Sequence, residues 1–343
     1  MKALVKRTRA RGADLLDVEI PRIGPNDLLV KVQAAAICGT DNHIYDWTPW
    51  AEARITLPHI FGHEFAGEVV EVGAAVRGFQ VGDLVAAETH IPCLQCYQCR
   101  TGRQHTCEQM KIIGVHVDGA FADYALLPEA CAWKLSPGTS PELGALLEPI
   151  GVAANGLFKD RVGGRSVAII GCGPIGIFGA QLALAAGARQ LFVSDVNAYR
   201  LDLARRVVPQ ATALNPLEDD VAAIIQEATE GRGVDVAIEL SGSQAGTEQA
   251  FDILAKGGRV SLVGLPAKPI TLEMTAAIIY REAIVYGSTG RLMWDTWYQV
   301  DALLKAKAFD PLPVITHRFP LADYDQALKL TLSANAGKVL LIP

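Results

Sequence analysis

The spacing of hydrophobic positions divides the chain into two styles of sequence. Up to about residue 145, short half-apolar runs alternate with glycine-containing turns, a pattern typical of β-strands. Examples of these runs are DLLVKVQAAAIC, FAGEVVEVG and DLVAAET. The first part of the chain is therefore predicted to form an irregular, β-rich domain.

From about residue 148 the pattern changes to strands that alternate with helices. The apolar runs RSVAII, QLFVSD, VDVAIELSG, GRVSLVGL and AIVYGSTG predict buried strands. Several of the segments between them carry apolar residues at helical spacing, such as AYRLDLARRVV and DVAAIIQEATEG. This alternation is typical of a doubly wound parallel sheet, and it places the chain in the α/β class.

After Gly290 the sequence changes again. MWDTWYQVDALLKAK predicts a helix, HRFPLADYDQALKLTL predicts a loop followed by a helix, and GKVLLIP predicts a closing strand. Periodicity alone does not assign this tail to either domain.

Length and charge narrow the class of protein. A chain of 343 residues favours two domains. The net charge of −6, without a long basic run, argues against a nucleic-acid partner. The basic start lacks an apolar signal core, and the apolar runs are short and broken by Gly and Pro. We therefore expect a cytoplasmic protein with no membrane or nucleic-acid partner.

The clearest binding motif is a glycine-rich loop. Gly171, Gly173 and Gly176 form G-x-G-x-x-G, with Ile175 inside it, between an apolar strand and an Ala-rich helix. In that context the three glycines supply a tight turn, close backbone approach to a pyrophosphate and close packing of helix on strand. The helix N-terminus would then favour the phosphates of a dinucleotide.

Asp195, at the end of the next strand, indicates which dinucleotide binds. A carboxylate there can accept the adenosine ribose hydroxyls and would repel a 2′-phosphate, which favours NAD over NADP. The alternative for Asp195 is a helix N-cap. Arg200 follows five positions later, either as a cofactor contact or as an exposed helix charge.

The stretch CLQCYQCRTGRQHTC holds four of the seven cysteines of the chain. Its spacing fits a closed tetrahedral zinc site that stabilises a loop, and iron–sulfur ligation is the competing interpretation. Because four cysteines complete such a shell, we interpret His105 as a nearby loop residue. The predicted ligands are Cys93, Cys96, Cys99 and Cys107.

A second, scattered set of metal-binding residue types includes Cys38, His63 and Glu148. Cysteine, histidine and carboxylate suit a zinc ion that keeps an open position for substrate. Taken singly, they could be a buried thiol, a core histidine and a helix cap. Only their combination with the nucleotide loop favours a catalytic metal site.

Together these motifs resemble the zinc-dependent medium-chain alcohol dehydrogenases. The blocks ICGTD, GHEFAGEVVEVG, GFQVGD, the four-cysteine run and GCGPIG occur in the order typical of that family, and the resemblance covers the whole chain. It implies a GroES-like catalytic domain over residues 1–147, completed by 291–343. A Rossmann NAD-binding domain would span residues 148–290.

The resemblance also implies roles for individual residues. Cys38, His63 and Glu64 would hold the catalytic zinc, with Glu148 as an occasional ligand or as a proton-relay group. Thr40 and His43 would carry the released proton outward, and the less favoured alternative for His43 is an ordinary surface histidine. The segments that follow the later strands would contact the nicotinamide half of NAD, through Val263, Gly264, Leu265, Ser288 and Thr289.

Further blocks indicate the branch of the family. AICGTDNHIYDW, SDVNAYRLDLAR, GRLMWDTWY and ITHRF resemble the members that oxidise L-threonine with NAD, which are usually homotetramers in prokaryotes. Trp294 and Trp297 would line the substrate pocket, form a subunit contact or simply pack in the core, and His90 could face substrate. The rival functions are a zinc polyol dehydrogenase and, from another class, a zinc-ribbon nucleic-acid binder.

Overall fold

The computed structural model describes all residues from Met1 to Pro343. Its contacts divide the chain into two compact units, residues 1–149 with 315–343, and residues 150–314. Residues 291–314 thus group with the second unit, whereas the family resemblance implies that they belong with the first. No helix in the structure combines the length and apolar character needed to cross a bilayer.

The first unit is mainly β-structure, as its alternating sequence predicts. Its strands up to residue 149 are β1 (Lys2–Lys6), β2 (Asp14–Asp17), β3 (Asp27–Ala36), β4 (His59–Ile60), β5 (Glu64–Val72), β6 (Leu84–Ala87), β7 (His90–Ile91), β8 (Lys111–Ile112), β9 (Tyr124–Pro128) and β10 (Ala132–Lys134). The helices are α1 (Gly39–Asp46), α2 (Pro49–Glu52), α3 (Tyr97–Arg100) and the longer α4 (Pro141–Leu157), whose residues from 150 onward group with the second unit.

The second unit alternates strand and helix. Its strands are β11 (Ser166–Ile170), β12 (Gln190–Ser194), β13 (Thr212–Leu214), β14 (Val234–Glu239), β15 (Leu254–Leu262) and β16 (Ile284–Gly287). Its helices are α5 (Pro174–Ala185), α6 (Ala198–Val207), α7 (Val221–Ala228), α8 (Gln244–Asp252) and α9 (Asp295–Lys305). The chain then returns to the first unit as β17 (Ile315–Pro320), α10 (Tyr324–Leu332) and β18 (Lys338–Ile342).

The second unit contains one parallel sheet in the order β13-β12-β11-β14-β15-β16. This is the doubly wound order, in which successive parallel strands are added first on one side of β11 and then on its other side. Strand β11 is buried along its whole length, as a central strand covered on both faces requires. The predicted doubly wound α/β sheet is confirmed.

The main sheet of the first unit has the path β10-β6-β5-β3-β18-β17, with β9 also paired to β3. A smaller sheet has the order β2-β1-β4. One core cluster lies against these strands and includes Phe61, Phe65 and Phe121, all nearly inaccessible to solvent. The predicted β-rich character of this domain is confirmed.

The prediction of a loop at HRF is wrong. Residues 315–320 form β17, which pairs in parallel with the closing strand β18. Strand β17 lies at the edge of its sheet and is only partly buried, so it lacks the apolar alternation by which strands are recognised in sequence. Its partner lies eighteen or more residues further along the chain, so no local turn indicates the pairing.

Candidate functional site

Three donor atoms from separate parts of the first unit meet in a buried cluster. Cys38 comes just before α1, and His63 and Glu64 lie at the start of β5. Their ligand atoms all lie within 4.8 Å of one another. His63 and Glu64 are almost completely buried, and Cys38 is half-buried. A thiol, an imidazole and a carboxylate converging in this way fit the donor set of a zinc site with an open position.

Asp41 orients two of these donors. One of its carboxylate oxygens accepts a hydrogen bond from the backbone N–H of Cys38 at 2.8 Å, and the other lies 3.5 Å from His63 Nδ1. Asp41 is fully buried, and neither His63 Nδ1 nor the facing oxygen makes a hydrogen bond to any group, so the 3.5 Å contact joins two otherwise unsatisfied buried atoms. A carboxylate placed behind a histidine in this way fixes the ring and leaves Nε2 available to a metal.

Glu64 is paired with a lysine from the C-terminal part of the chain. Lys338, at the start of β18, donates to Glu64 Oε1 at 2.6 Å, also contacts Oε2, and donates to the carbonyl of Ile37 at 3.2 Å. Burial raises the pKa of Glu64 to about 7, and the ammonium of Lys338 opposes that shift. Because each carboxylate oxygen has two lone pairs, Glu64 can accept from Lys338 and still donate a lone pair to a cation.

The other predicted residues of the first unit occupy different positions. Glu148 is buried on α4, and its charge is close enough to Glu64 to contribute to the raised pKa of that carboxyl. Thr40 and His43 lie three positions apart on α1, so they share one helix face. His43 is exposed, with Nδ1 3.3 Å from Thr48 Oγ1. His90 Nδ1 lies 2.9 Å from an oxygen of buried Glu88.

Residues 93–107, which we call the lobe, contain Cys93, Cys96, Cys99 and Cys107, and these four cysteines form a second cluster in the first unit. Their sulfur atoms all lie within 4.8 Å of one another, with Cys93 Sγ to Cys99 Sγ at 4.0 Å and Cys96 Sγ to Cys107 Sγ at 3.8 Å. A disulfide would bring two sulfurs to about 2 Å. Four thiolates around one tetrahedral zinc lie about 3.8 Å apart, given Zn–S bonds of about 2.3 Å. The geometry thus fits a single ion rather than a multi-iron cluster.

Backbone N–H groups donate hydrogen bonds to these sulfurs and so favour their negatively charged form. Cys93 Sγ accepts the N–H groups of Gln95 and Cys96, and Cys107 Sγ accepts those of Cys93 and Gln109. Backbone hydrogen bonds from Cys99 and Glu108 lower the pKa of Cys96 to about 6. These contacts favour the thiolate form that binds metal. His105 is not a member of the cluster.

The glycine loop of the second unit follows β11, where the sequence motif predicts it. Gly171 has a φ of 100°, and a Cβ on Gly176 would lie 1.9 Å from the carbonyl oxygen of Gly171. A Cβ on Gly173, by contrast, would meet no atom within 4 Å, at the N-cap of α5. Gly171 thus permits the turn, Gly176 permits the close packing, and Gly173 leaves open access to backbone N–H groups. This arrangement fits a dinucleotide phosphate site.

Asp195 fixes that loop. Its Oδ2 accepts the N–H of Cys172 at 2.7 Å, and its Oδ1 accepts the N–H of Asn197 at 2.8 Å. The side chain that caps α6 is Asn197, which accepts from Arg200 N at 3.1 Å, so the helix-cap alternative for Asp195 is excluded. Arg200 Nη1 lies 3.7 Å from Asp195 Oδ2.

The remaining predicted cofactor residues follow β15 and β16. Val263 N and Gly264 N both donate to the carbonyl of Glu239, and Ser288 N donates to Leu262 O. The hydroxyl of Ser288 is buried without a hydrogen-bond partner. A buried polar atom of this kind at the carboxyl edge of a parallel sheet is a candidate ligand contact. Leu265 and Thr289 are exposed, and Trp297 packs edge-on against Trp294 with ring centroids 5.6 Å apart.

Glu239 was missed by the sequence analysis. This buried carboxylate ends β14 and accepts from Ser241 N at 2.7 Å, from Ser241 Oγ at 2.5 Å and from Gly242 N at 3.0 Å. Its backbone carbonyl also holds Val263 and Gly264, so one residue fixes two of the loops at this edge. Asp41 and Lys338 were likewise missed, because their partners are recognisable only once the chain is folded.

Comparison with known proteins identifies relatives over the full chain. Residues 24–137 match the alcohol dehydrogenase GroES-like domain, and residues 174–306 match the zinc-binding dehydrogenase domain. The chain is 44% identical over 344 residues to an L-threonine 3-dehydrogenase from Caldanaerobacter subterraneus, covering 100% of this chain and 99% of that protein.

Solved structures show the same architecture. A Sinorhizobium meliloti protein assigned to the zinc-binding dehydrogenases and crystallised with NADP superposes with a TM-score of 0.91 at 33% identity, over 100% of this chain and 99% of its own. The 2R,3R-butanediol dehydrogenase of Bacillus subtilis superposes with a TM-score of 0.90 at 29% identity, with the same coverage.

The lobe geometry predicts the effect of Cys96→Ser. Losing one of four thiolates should release the lobe metal and lower the melting temperature, while the folded fraction keeps its rate of NADH formation. Metal content, thermal unfolding and activity per folded chain measure this. Cys131→Ser, which changes a cysteine outside both clusters, should keep its metal. A Cys96→Ser protein with normal melting but no hydride transfer would contradict the assignment.

The position of Asp41 predicts a metal-affinity effect. Asp41→Asn should weaken metal binding at the Cys38 cluster by about 10- to 100-fold, since the histidine loses its carboxylate partner. Competition with a chromogenic chelator measures the affinity without relying on turnover. The matched control is Asp118→Asn, because Asp118 Oδ1 lies 3.6 Å from Nδ1 of another buried histidine of the same unit, His59, and neither residue belongs to the donor cluster. Equal weakening in both variants would show that Asp41 does not act through His63.

Proposed function

The chain belongs to the zinc-containing medium-chain alcohol dehydrogenase family, and we propose that within it the protein oxidises L-threonine to 2-amino-3-oxobutanoate with NAD⁺. The buried Cys38, His63 and Glu64 cluster carries the proposal, because it is a donor set for catalytic zinc. The full-length identity to a threonine dehydrogenase supports the substrate. The proposal includes two zinc ions per chain, one in each cluster.

A zinc ion at the Cys38 cluster would polarise the C3 hydroxyl of threonine, and NAD⁺ would accept the hydride. The chain contributes the positions of the donors. Asp41 holds both the backbone of Cys38 and the ring of His63. Lys338 offsets the negative charge of Glu64, which would otherwise lie buried beside the acidic side chain of Glu148.

The hydroxyl proton needs a route to solvent. Thr40 is half-buried near the donor cluster in sequence, and His43, three residues later, is exposed. A hydroxyl followed by an imidazole on one helix face can pass a proton outward, since both groups donate and accept. Glu148 is the second candidate for this transfer, because it is a buried carboxyl close to Glu64.

The choice of NAD over NADP rests on Asp195. Its carboxylate is fixed by two backbone N–H groups and still has lone pairs for the ribose hydroxyls. A 2′-phosphate at the same place would meet the negative charge of the nearly buried Asp195 side chain, which Arg200 Nη1 at 3.7 Å offsets only in part. Gly171, Gly173, Ile175 and Gly176 would hold the pyrophosphate, and the segments after β15 and β16 the nicotinamide half.

The proposal also includes a homotetramer. Strand β16 is the edge of the parallel sheet, and it exposes Ile284 and Val285. Met274, Ile279 and Tyr280, in the segment before it, are exposed as well. An exposed apolar sheet edge favours pairing with a second copy. The number of four subunits comes from the family resemblance.

The second candidate is a polyol dehydrogenase, favoured by the likeness to butanediol dehydrogenase. Initial rates with L-threonine, 2,3-butanediol and sorbitol, each with NAD⁺ and with NADP⁺, separate the two. We expect L-threonine with NAD⁺ to give the highest kcat/KM, and a chelator followed by zinc to abolish and restore that rate. Turnover of a polyol without turnover of threonine would overturn the substrate, and a preference for NADP⁺ would overturn the role of Asp195.

A further inference from the structure

A cavity of about 640 Å³ opens at the amino edge of the parallel sheet in the second unit. Ser166 begins β11 and borders the cavity, and the loop before β14 and the first residues of β15 supply other walls. The glycine loop follows the carboxyl end of β11, so the cavity lies at the other end of the same strands. The lining residues are Gly164, Arg165, Ser166, Arg189, Gln226, Gly231, Arg232, Gly233, Asp235, Ala255, Lys256 and Arg281.

The lining is strongly cationic. It contains four arginines and one lysine, against the single carboxylate of Asp235, so its formal charge is +4 from five cations minus one anion. The whole chain, by contrast, carries −6. The cations come from five separate segments of the chain, so they converge only because of the fold. Such convergence costs electrostatic repulsion unless an anion offsets it.

The carboxylate in the cavity is already engaged. Asp235 Oδ1 lies 3.2 Å from Arg165 Nη1, and its Oδ2 accepts from Ser166 N at 2.8 Å and from Ser166 Oγ at 2.9 Å. Asp235 therefore offsets the charge of Arg165, and no other acidic side chain of the lining offsets the charges of the remaining cations.

Three of the remaining cations have no carboxylate partner. Arg281 donates to the backbone carbonyls of Leu254 and Asp252, and Arg189 donates to the side-chain carbonyl of Gln190. These partners orient the guanidinium groups without neutralising them. Lys256 is exposed and takes part in none of the ion pairs of the structure. Arg232 lies 3.6 Å from exposed Glu230, a pair that contributes little in water.

The shape and chemistry of the walls indicate the class of ligand. Gly164, Gly231 and Gly233 have φ values of 74°, 80° and 85°, so they make turns that place no side chain in the opening. No aromatic side chain lines the cavity, so no stacking surface for a base is present. Guanidinium groups, on the other hand, match phosphate oxygens in geometry and charge.

We propose that this cavity binds a small anion with several linked phosphate groups, recognised through its phosphates alone. The proposal is independent of the reaction at the donor cluster. Arg189, Lys256 and Arg281 supply the uncompensated charge, and Arg232 adds to it at the rim. Binding would stabilise the folded second unit by a free energy that rises with the logarithm of the ligand concentration once that concentration exceeds Kd.

Calorimetric titration of the zinc-loaded protein with inorganic tripolyphosphate tests the proposal. Saturating NADH keeps the dinucleotide site filled, ionic strength is held constant, and metal content is checked afterwards because polyphosphates chelate zinc. We expect saturable binding of one anion per chain. Arg189→Gln combined with Lys256→Gln should weaken it by about tenfold or more, since both variants remove charge-assisted hydrogen bonds to phosphate oxygens.

The matched control removes the same charge elsewhere in the unit. Arg206→Gln combined with Lys307→Gln changes two exposed cations outside the cavity and should leave the affinity unchanged. ATP should bind no more tightly than tripolyphosphate and should respond to the cavity variant in the same way. The proposal would be overturned if binding were not saturable, or if both double variants lost affinity equally. It would also be overturned if the cavity variant left the affinity for ATP unchanged.

Discussion

The ion pair between Glu64 and Lys338 is the contact on which the first unit depends. Both side chains are almost completely buried, and removing either one would leave a charge without a partner in a low-dielectric interior. The pair joins the start of β5 to the start of β18, so the last strand of the chain must lie beside the donor cluster. The return of residues 315–343 to the first unit is thus part of the metal site as well as of the sheet.

In each unit a further buried carboxylate holds a candidate site in place. Asp41 spans the backbone of Cys38 and the ring of His63, while Asp195 spans the glycine loop and the start of α6. In both places an acidic side chain accepts backbone N–H groups from a loop and so fixes the groups that would meet ligand. Glu239 repeats this arrangement at the end of β14. Hydrogen bonds to buried carboxylates therefore hold the candidate sites in place, in addition to apolar packing.

Local pattern was sufficient for the features that depend on neighbouring residues. The glycine motif, the four-cysteine spacing and the strand–helix alternation each lie within a short stretch, and the structure places them as their patterns predict. Asp41, Lys338 and Glu239 were not identified because their importance comes from partners or burial that appear only on folding. The strand at Ile315–Pro320 was missed for the same reason, since its pairing with β18 is not local.

Two cysteine-containing clusters in one unit raise the question of which one meets substrate. We assign the chemistry to the Cys38 cluster, whose three donors leave a position open for substrate, and a structural role to the lobe, whose four thiolates would complete the shell of a zinc ion.

Exchange of the bound metal for Co²⁺ tests that assignment most directly, because the visible bands of Co²⁺ change with its ligands. L-Threonine added with NADH, which blocks turnover, should shift bands that Cys38→Ser removes and leave the bands that Cys96→Ser removes unchanged. A threonine-dependent shift confined to the bands of the four-cysteine lobe would contradict the account.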